Sequence, residues 1–191
     1  MKPFTPRPYG DLMIDHLVEH PRAALWSFLG SGKTVNTLTA LDALDLAGQD
    51  VWPALAIGPL RVARKVWREE VGKWEHTKGI GVSQIIGDAD TRSMIVDRLC
   101  HPGSTPNQLY TINYENIPWL VDRMWHKGGK MPFRTIISDE ARKLKAHRTK
   151  QGGVMTQNLA LLAWHPFLRR FIELTGTPSP RGLKDLWGQM W

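Results

Sequence analysis

The sequence predicts an α/β fold of three layers, with helices on both faces of a mostly parallel sheet. Short apolar runs closed by turn residues alternate with stretches of helical periodicity from about Ala23 to the C-terminus. The runs are apolar throughout, as strands are when helices cover both of their faces. A glycine-rich turn, Gly30-Ser31-Gly32, joins the first run to the first periodic stretch.

The predicted strands are Ala23 to Phe28, Pro53 to Ile57, Val82 to Ile86, Leu109 to Ile112, Thr135 to Ser138 and Arg170 to Leu174. Helices are predicted from Lys33 to Ala47, Val62 to Trp74, Thr91 to Leu99, Ile117 to His126, Thr156 to Ala163 and Leu183 to Met190. His101 to Pro106 and Lys127 to Lys130 read as surface loops, because Pro and Gly punctuate them and apolar residues are scarce.

A length of 191 residues gives one domain a substantial core and is cramped for two. With 42% hydrophobic and 23% charged residues the usage is that of a globular chain, which argues against a long disordered tail. Cys100 is the only cysteine, so no intrachain disulfide can form and a reducing compartment, the cytoplasm, is expected. Met1 to Arg7 lacks the apolar run of a signal peptide, and no stretch approaches the ~20 apolar residues of a membrane span. The seven histidines and the cysteine show no metal-ligand spacing, so no zinc is expected. A formal charge of +7 favours a polyanionic partner weakly. The nine tryptophans read as core and interface residues rather than base-stacking platforms.

Gly30-Ser31-Gly32-Lys33-Thr34 follows a strand and opens a helix, the setting in which backbone N–H groups converge on phosphate oxygens. In such a P-loop Lys33 reaches the β and γ phosphates and the Thr34 hydroxyl holds Mg²⁺. Ser27 stands where the full pattern has its first glycine. Asp139 and Glu140 come directly after an apolar strand, at the edge where open α/β sheets bind ligands. Asp139 suits an Mg²⁺ held through water, and Glu140 suits the activation of a water against the γ phosphate. Read alone, the acidic pair could equally cap a following helix.

GSGKT, then Asp139-Glu140-Ala141-Arg142, then Leu174-Thr175-Gly176-Thr177-Pro178, in that order, resemble motifs I, II and III of superfamily-two helicases. The last, followed by Leu183-Lys184-Asp185-Leu186-Trp187, resembles the Swi/Snf branch of DNA translocases, including short bacterial and phage-encoded members. The resemblance implies a RecA-like P-loop NTPase domain that uses ATP and Mg²⁺. It implies that Thr175, Gly176 and Thr177 couple nucleotide state to the carboxylates, that duplex DNA is the partner, and that a second RecA-like domain completes the motor. Arg7-Pro8-Tyr9 matches the opening of the adenine-recognition segment, which gives Arg7 and Tyr9 to the nucleotide. Gly10 stands where a glutamine usually reads the base, so weakened ATP binding is expected.

Ile57 to Ala63 resembles motif Ia and Thr111 to Glu115 motif Ib. By resemblance Arg61, Asn113 and Tyr114 are nucleic-acid contacts. Arg64, Lys65 and Arg68 read as the solvated face of a helix that buries Val62, Val66 and Trp67. Lys143, Lys145, His147, Arg148 and Lys150 form a charged loop, either solvated or functional. A small-molecule kinase would explain Lys33 but not LTGTP. A non-hydrolysing DNA-binding or docking module would be consistent with Gly10 and Ser27.

Overall fold

The computed structural model describes residues 1–101, 103, 108–125, 130–140 and 150–176, the first three of the last stretch as backbone only. The helix expected at Leu183 to Met190, Thr177, and the basic residues Lys143, Lys145, His147 and Arg148 lie outside the described residues, as does the side chain of Lys150.

The described chain runs α1 (Pro8–Glu19), β1 (Arg22–Trp26), α2 (Lys33–Leu46), β2 (Ala54–Gly58), a π-turn (Val62–Val66) leading into α3 (Trp67–Lys73), β3 (Val82–Ile85), α4 (Ala89–Cys100), β4 (Leu109–Asn113), a 3₁₀ turn (Tyr114–Asn116), α5 (Ile117–Trp125), β5 (Thr135–Asp139), α6 (Lys150–Ala163) and β6 (Arg170–Thr175). The strands form one six-stranded sheet in the order β1-β6-β5-β2-β4-β3. Every pairing is parallel.

Both faces are covered, which is why β2, β4, β5 and β6 are buried along their whole length. Leu17 of α1, Leu38, Leu41 and Leu44 of α2, and Trp67 and Val71 of α3 pack on one face with Ile137, Ile172 and Leu174. Val96 and Leu99 of α4, Leu120, Val121 and Met124 of α5, and Leu159 and Leu162 of α6 pack on the other with Ile136 and Phe171.

Four elements depart from expectation, one of them α6, which begins at Lys150 rather than Thr156. Pro8–Glu19 is a helix where none was predicted. Its signal is Pro8 in the first turn and Met13, Leu17, Ile14 and Val18 at helical spacing. Arg170, nearly buried, fastens the end of this helix to the sheet, donating to the carbonyls of Leu17 at 2.8 Å and Val18 at 3.1 Å and to Gln49 Oε1 at 3.1 Å. The helix expected from Val62 to Trp74 begins as a π-turn. α4 starts before Thr91 because the Asp88 carboxylate accepts from the Thr91 N–H at 2.7 Å, an N-cap. Among the described residues no helix is long and apolar enough to cross a membrane.

Candidate nucleotide site

Because the strands are parallel, the segments after β1, β2, β4, β5 and β6 all emerge at one edge of the sheet. β1 ends at Trp26, which releases Ser27 to Gly32 as a loop before α2. Gly30 at φ 79° and Gly32 at φ 82° occupy the left-handed region, where a side chain would be strained. Gly32 caps α2 without a side-chain hydrogen bond, so the first N–H groups of that helix point outward with the positive end of its dipole.

Lys33 Nζ donates to the carbonyls of Ser27 at 2.7 Å and Phe28 at 3.0 Å. The ammonium is therefore at the mouth of the loop, held by the loop's own oxygens. Ser31, 4% exposed, has a hydroxyl with no hydrogen-bond partner. Thr34 is half-buried in the first turn of α2. An orphaned hydroxyl, outward N–H groups and an ammonium resting on carbonyls together fit a phosphate anion.

Asp139, 9% exposed, ends β5, and its carboxyl is pushed up to about 6, by burial first and by neighbouring Glu140 second. Lys33 opposes that rise, while burial lowers the lysine and both carboxylates raise it. Asp139, Glu140 and Lys33 thus share one field across β6, a donor set that fits a divalent cation between carboxylate and phosphate. Glu140 has φ 59°, a left-handed conformation costly for a residue with a Cβ, so the chain turns sharply off the strand there. The indole of Trp67, wholly buried, is near enough to Asp139 to draw its carboxyl down, against the rise that burial causes.

The end of β6 joins this group. The Ser27 N–H donates to the Thr175 carbonyl at 3.1 Å, and a Cβ added at Gly176 would lie 3.5 Å from Leu29 and 3.6 Å from the Ser27 carbonyl. Arg7 Nη1 donates to the Tyr9 hydroxyl at 2.7 Å, and the Tyr9 ring meets Phe28 edge-on at 5.8 Å. Gly10 is buried, and a Cβ there would lie 3.3 Å from both Asn36 Oδ1 and Pro6 Cβ.

The segments expected at a nucleic-acid surface divide. Arg61 is exposed at the start of the π-turn. Tyr114 is wholly buried and its hydroxyl is committed to Ser138 and Asp139, so it is not a surface contact. Asn113, 7% exposed, is spent on Glu115 at 2.8 Å and Asn116 at 2.7 Å. Both expectations fail because the family resemblance located the segment and not the direction of its side chains.

Sequence reasoning missed Glu173. It is 4% exposed on β6, opposite Ser138, with Oε2 unpartnered. Burial pushes its carboxyl up to about 8, and Arg22 opposes this. A carboxylate flanked by the apolar residues Phe171, Ile172 and Leu174 was the available signal.

The fold is shared with solved structures. The Sulfolobus solfataricus SWI2/SNF2 ATPase core in complex with double-stranded DNA superposes with a TM-score of 0.72 at 22% identity, over 100% of this chain and 36% of that one. A nuclease-deletion mutant of the Type ISP restriction-modification enzyme LlaGI, in complex with a DNA substrate mimic, matches with a TM-score of 0.66 at 17% identity, over 90% of this chain and 15% of that one. The putative protein p41 of Acyrthosiphon pisum secondary endosymbiont phage 1 is 46% identical over 191 residues, and this chain spans 39% of its length. The SNF2-related domain matches residues 28–190, which takes in the glycine turn, the acidic strand end and the end of β6. On that match, with the RecA-like sheet that carries it, the chain belongs to the SNF2-related family of helicase and translocase ATPase domains.

Proposed function

We propose that this chain is the ATP-binding half of a DNA-dependent ATPase motor. The observation that carries the reading is the shared field of Lys33, Asp139 and Glu140 at one sheet edge, with Lys33 at the mouth of the glycine loop. Gly30, Ser31 and Gly32 present N–H groups to the phosphates, and Lys33 leaves its carbonyls to pair with them. Arg7 and Tyr9 flank the nucleoside. Thr34 and Asp139 hold Mg²⁺, which when bound neutralises charge on the phosphates. Glu140 takes a proton from the attacking water, from the sharp left-handed turn that follows β5. Thr175 and Gly176, tied to the loop through Ser27, carry the nucleotide state to the acidic strand; Thr177 belongs to the same motif.

Duplex DNA is the proposed partner, contacted by Arg61. The solved relatives that share the fold are DNA complexes. A second RecA-like domain is the other partner. An arginine supplied across such a cleft is worth ~10³ or more in turnover, so the chain alone hydrolyses slowly. A cytoplasmic location is consistent with this role.

Mg²⁺-ATP turnover measured with and without duplex DNA tests the reading, with Lys33→Ala and Glu140→Gln as controls. DNA-stimulated turnover lost in both variants is the expected signature once a second domain is supplied. Nucleotide binding that survives Lys33→Ala sinks the reading and favours a non-hydrolysing DNA-binding module.

A further inference from the structure

At the other edge of the sheet, where β5 and β6 begin, the ends of α4 and α5 and the turn before β6 enclose a cavity of about 700 Å³. That is within the size range of clefts that hold a ligand. Its inner side is apolar, with Leu99 and Met124 buried. Its wall is aromatic. The His165 ring stacks on Phe167 at 5.7 Å and meets Trp125 edge-on at 5.2 Å. The Phe167 N–H donates to His165 Nδ1 at 3.2 Å, which helps to fix the imidazole in that stack.

These rings are packed on one another yet open to solvent. Trp125 is 38% exposed and Phe167 57% exposed, and Leu161 and Trp164 at the end of α6 are exposed as well. Large apolar groups gathered around one cleft mark an interaction surface.

Charge selects the occupant. Lys130 and Arg134 line the cavity, and among the described residues no carboxylate does. Asp50, outside the lining, accepts from Arg134 Nε at 2.8 Å, and the Phe167 carbonyl lies 3.3 Å from Nη1. The guanidinium is thereby oriented, and its Nη2 has no partner among the described residues. Lys130 is exposed and forms no ion pair among the described residues, so its ammonium is open to an incoming anion. A second copy of the chain would bring the same cations and a formal charge of +7 to the contact, which opposes self-association. A nucleobase would bury its polar edges against Leu99 and Met124, whose side chains offer no matching hydrogen bonds. A phenyl or aliphatic side chain incurs no such loss.

We propose that this cavity is a docking site for an acidic segment of a partner protein. The segment inserts an apolar side chain beside Trp125 and Phe167 and sets its carboxylates on Lys130 and Arg134. Aromatic residues and arginine are the types that dominate affinity at protein interfaces.

The test is selection of a displayed library of random dodecapeptides on the immobilised full chain, run in parallel on Phe167→Ala and Lys130→Glu. Both positions are exposed, and thermal melting identifies folded variants. Peptides that combine Phe, Trp or Leu with Asp or Glu should be enriched on the parent. The most enriched of them, labelled with fluorescein and titrated by anisotropy, should lose at least about tenfold in affinity with Phe167→Ala. Lys130→Glu should also weaken it, and should remove most of its salt dependence. No enrichment, enrichment of peptides without acidic residues, or binding that both variants retain overturns the inference. Self-association of the parent abolished by Phe167→Ala overturns it in favour of a second copy. Tighter binding of a fluorescent oligothymidine, lost in Phe167→Ala, overturns it in favour of nucleic acid. The motor reading stands apart from all of these outcomes, because its site lies at the opposite edge of the sheet.

Discussion

The Tyr114 hydroxyl donates to the main-chain carbonyl of Asp139 at 2.8 Å, reaching from the end of β4 across β2 to the end of β5. Its single proton is spent there, so at the 2.9 Å contact with Ser138 the serine is the donor. The acidic strand end is thereby fixed from two strands away. Tyr114→Phe leaves the Asp139 carbonyl and the Ser138 hydroxyl without this partner in a buried place. We expect a loss of about 1–3 kcal/mol in urea unfolding and weaker Mg²⁺-nucleotide binding.

Lys33 touches only loop carbonyls, so its removal should cost function rather than fold. Calorimetric titration of Lys33→Ala with Mg²⁺-ATP should show affinity lower by at least about tenfold, the worth of one charge-assisted bond, at an unchanged melting temperature. Glu140→Gln should keep nucleotide affinity and lower turnover by about 10²-fold or more.

Glu173 gives a stability change with a defined sign. Its carboxyl stands at about 8 against an ordinary 4.5, so the folded chain holds this proton more tightly than the unfolded one. The group's contribution to stability is therefore fully present below pH 4.5 and is lost as pH rises through about 8. Glu173→Gln, which resembles the protonated acid, should melt like the parent at pH 4 and several degrees higher than the parent at pH 9. Equal melting of the two proteins at both pH values would contradict this account.

Arg170 lends its guanidinium to the last carbonyls of α1, where a cation also meets the negative end of the helix dipole. Arg170→Leu should destabilise the chain by about 2–4 kcal/mol, since buried acceptors lose their donor. Arg170→Lys should recover only part of that, a point charge replacing a planar fork.

Gly10 offers the base no side chain, and Asn36 and Pro6 occupy the space that a Cβ there would need. ATP and GTP should therefore bind with affinities that differ by less than about tenfold, the modest discrimination of a pocket that reads shape. A much stronger preference for ATP in competition titrations would assign base reading to another residue.

Much of this could be read from the sequence. The six strands fall within two residues of their expected ends, since a covered parallel strand is a short apolar run and needs no partner to be recognised. The glycine turn after β1 was legible because Gly30 and Gly32 serve backbone geometry, a local property. What escaped depends on distant groups. The π-turn is held by Gln84 and Thr111 from two other strands, and no pattern within Val62–Val66 encodes them. The direction of Tyr114 and the burial of Glu173 follow from neighbours on β5, which the order of residues along β4 or β6 does not contain. α1 was hidden by Pro8 and Gly10, residues that usually break helices but here open one.

The pairing of Arg22 with Phe171 closes the sheet over most of the chain's length, and β6 lies between β1 and β5. Among the described strands β6 is the sole neighbour of β1, so the glycine loop hangs from a strand that has nothing to pair with until the final described strand arrives. Such distant closure is slow. During synthesis the ability to hold nucleotide should therefore appear late and abruptly, and nucleotide present in the cell should trap the finished sheet by mass action while leaving shorter nascent chains untouched.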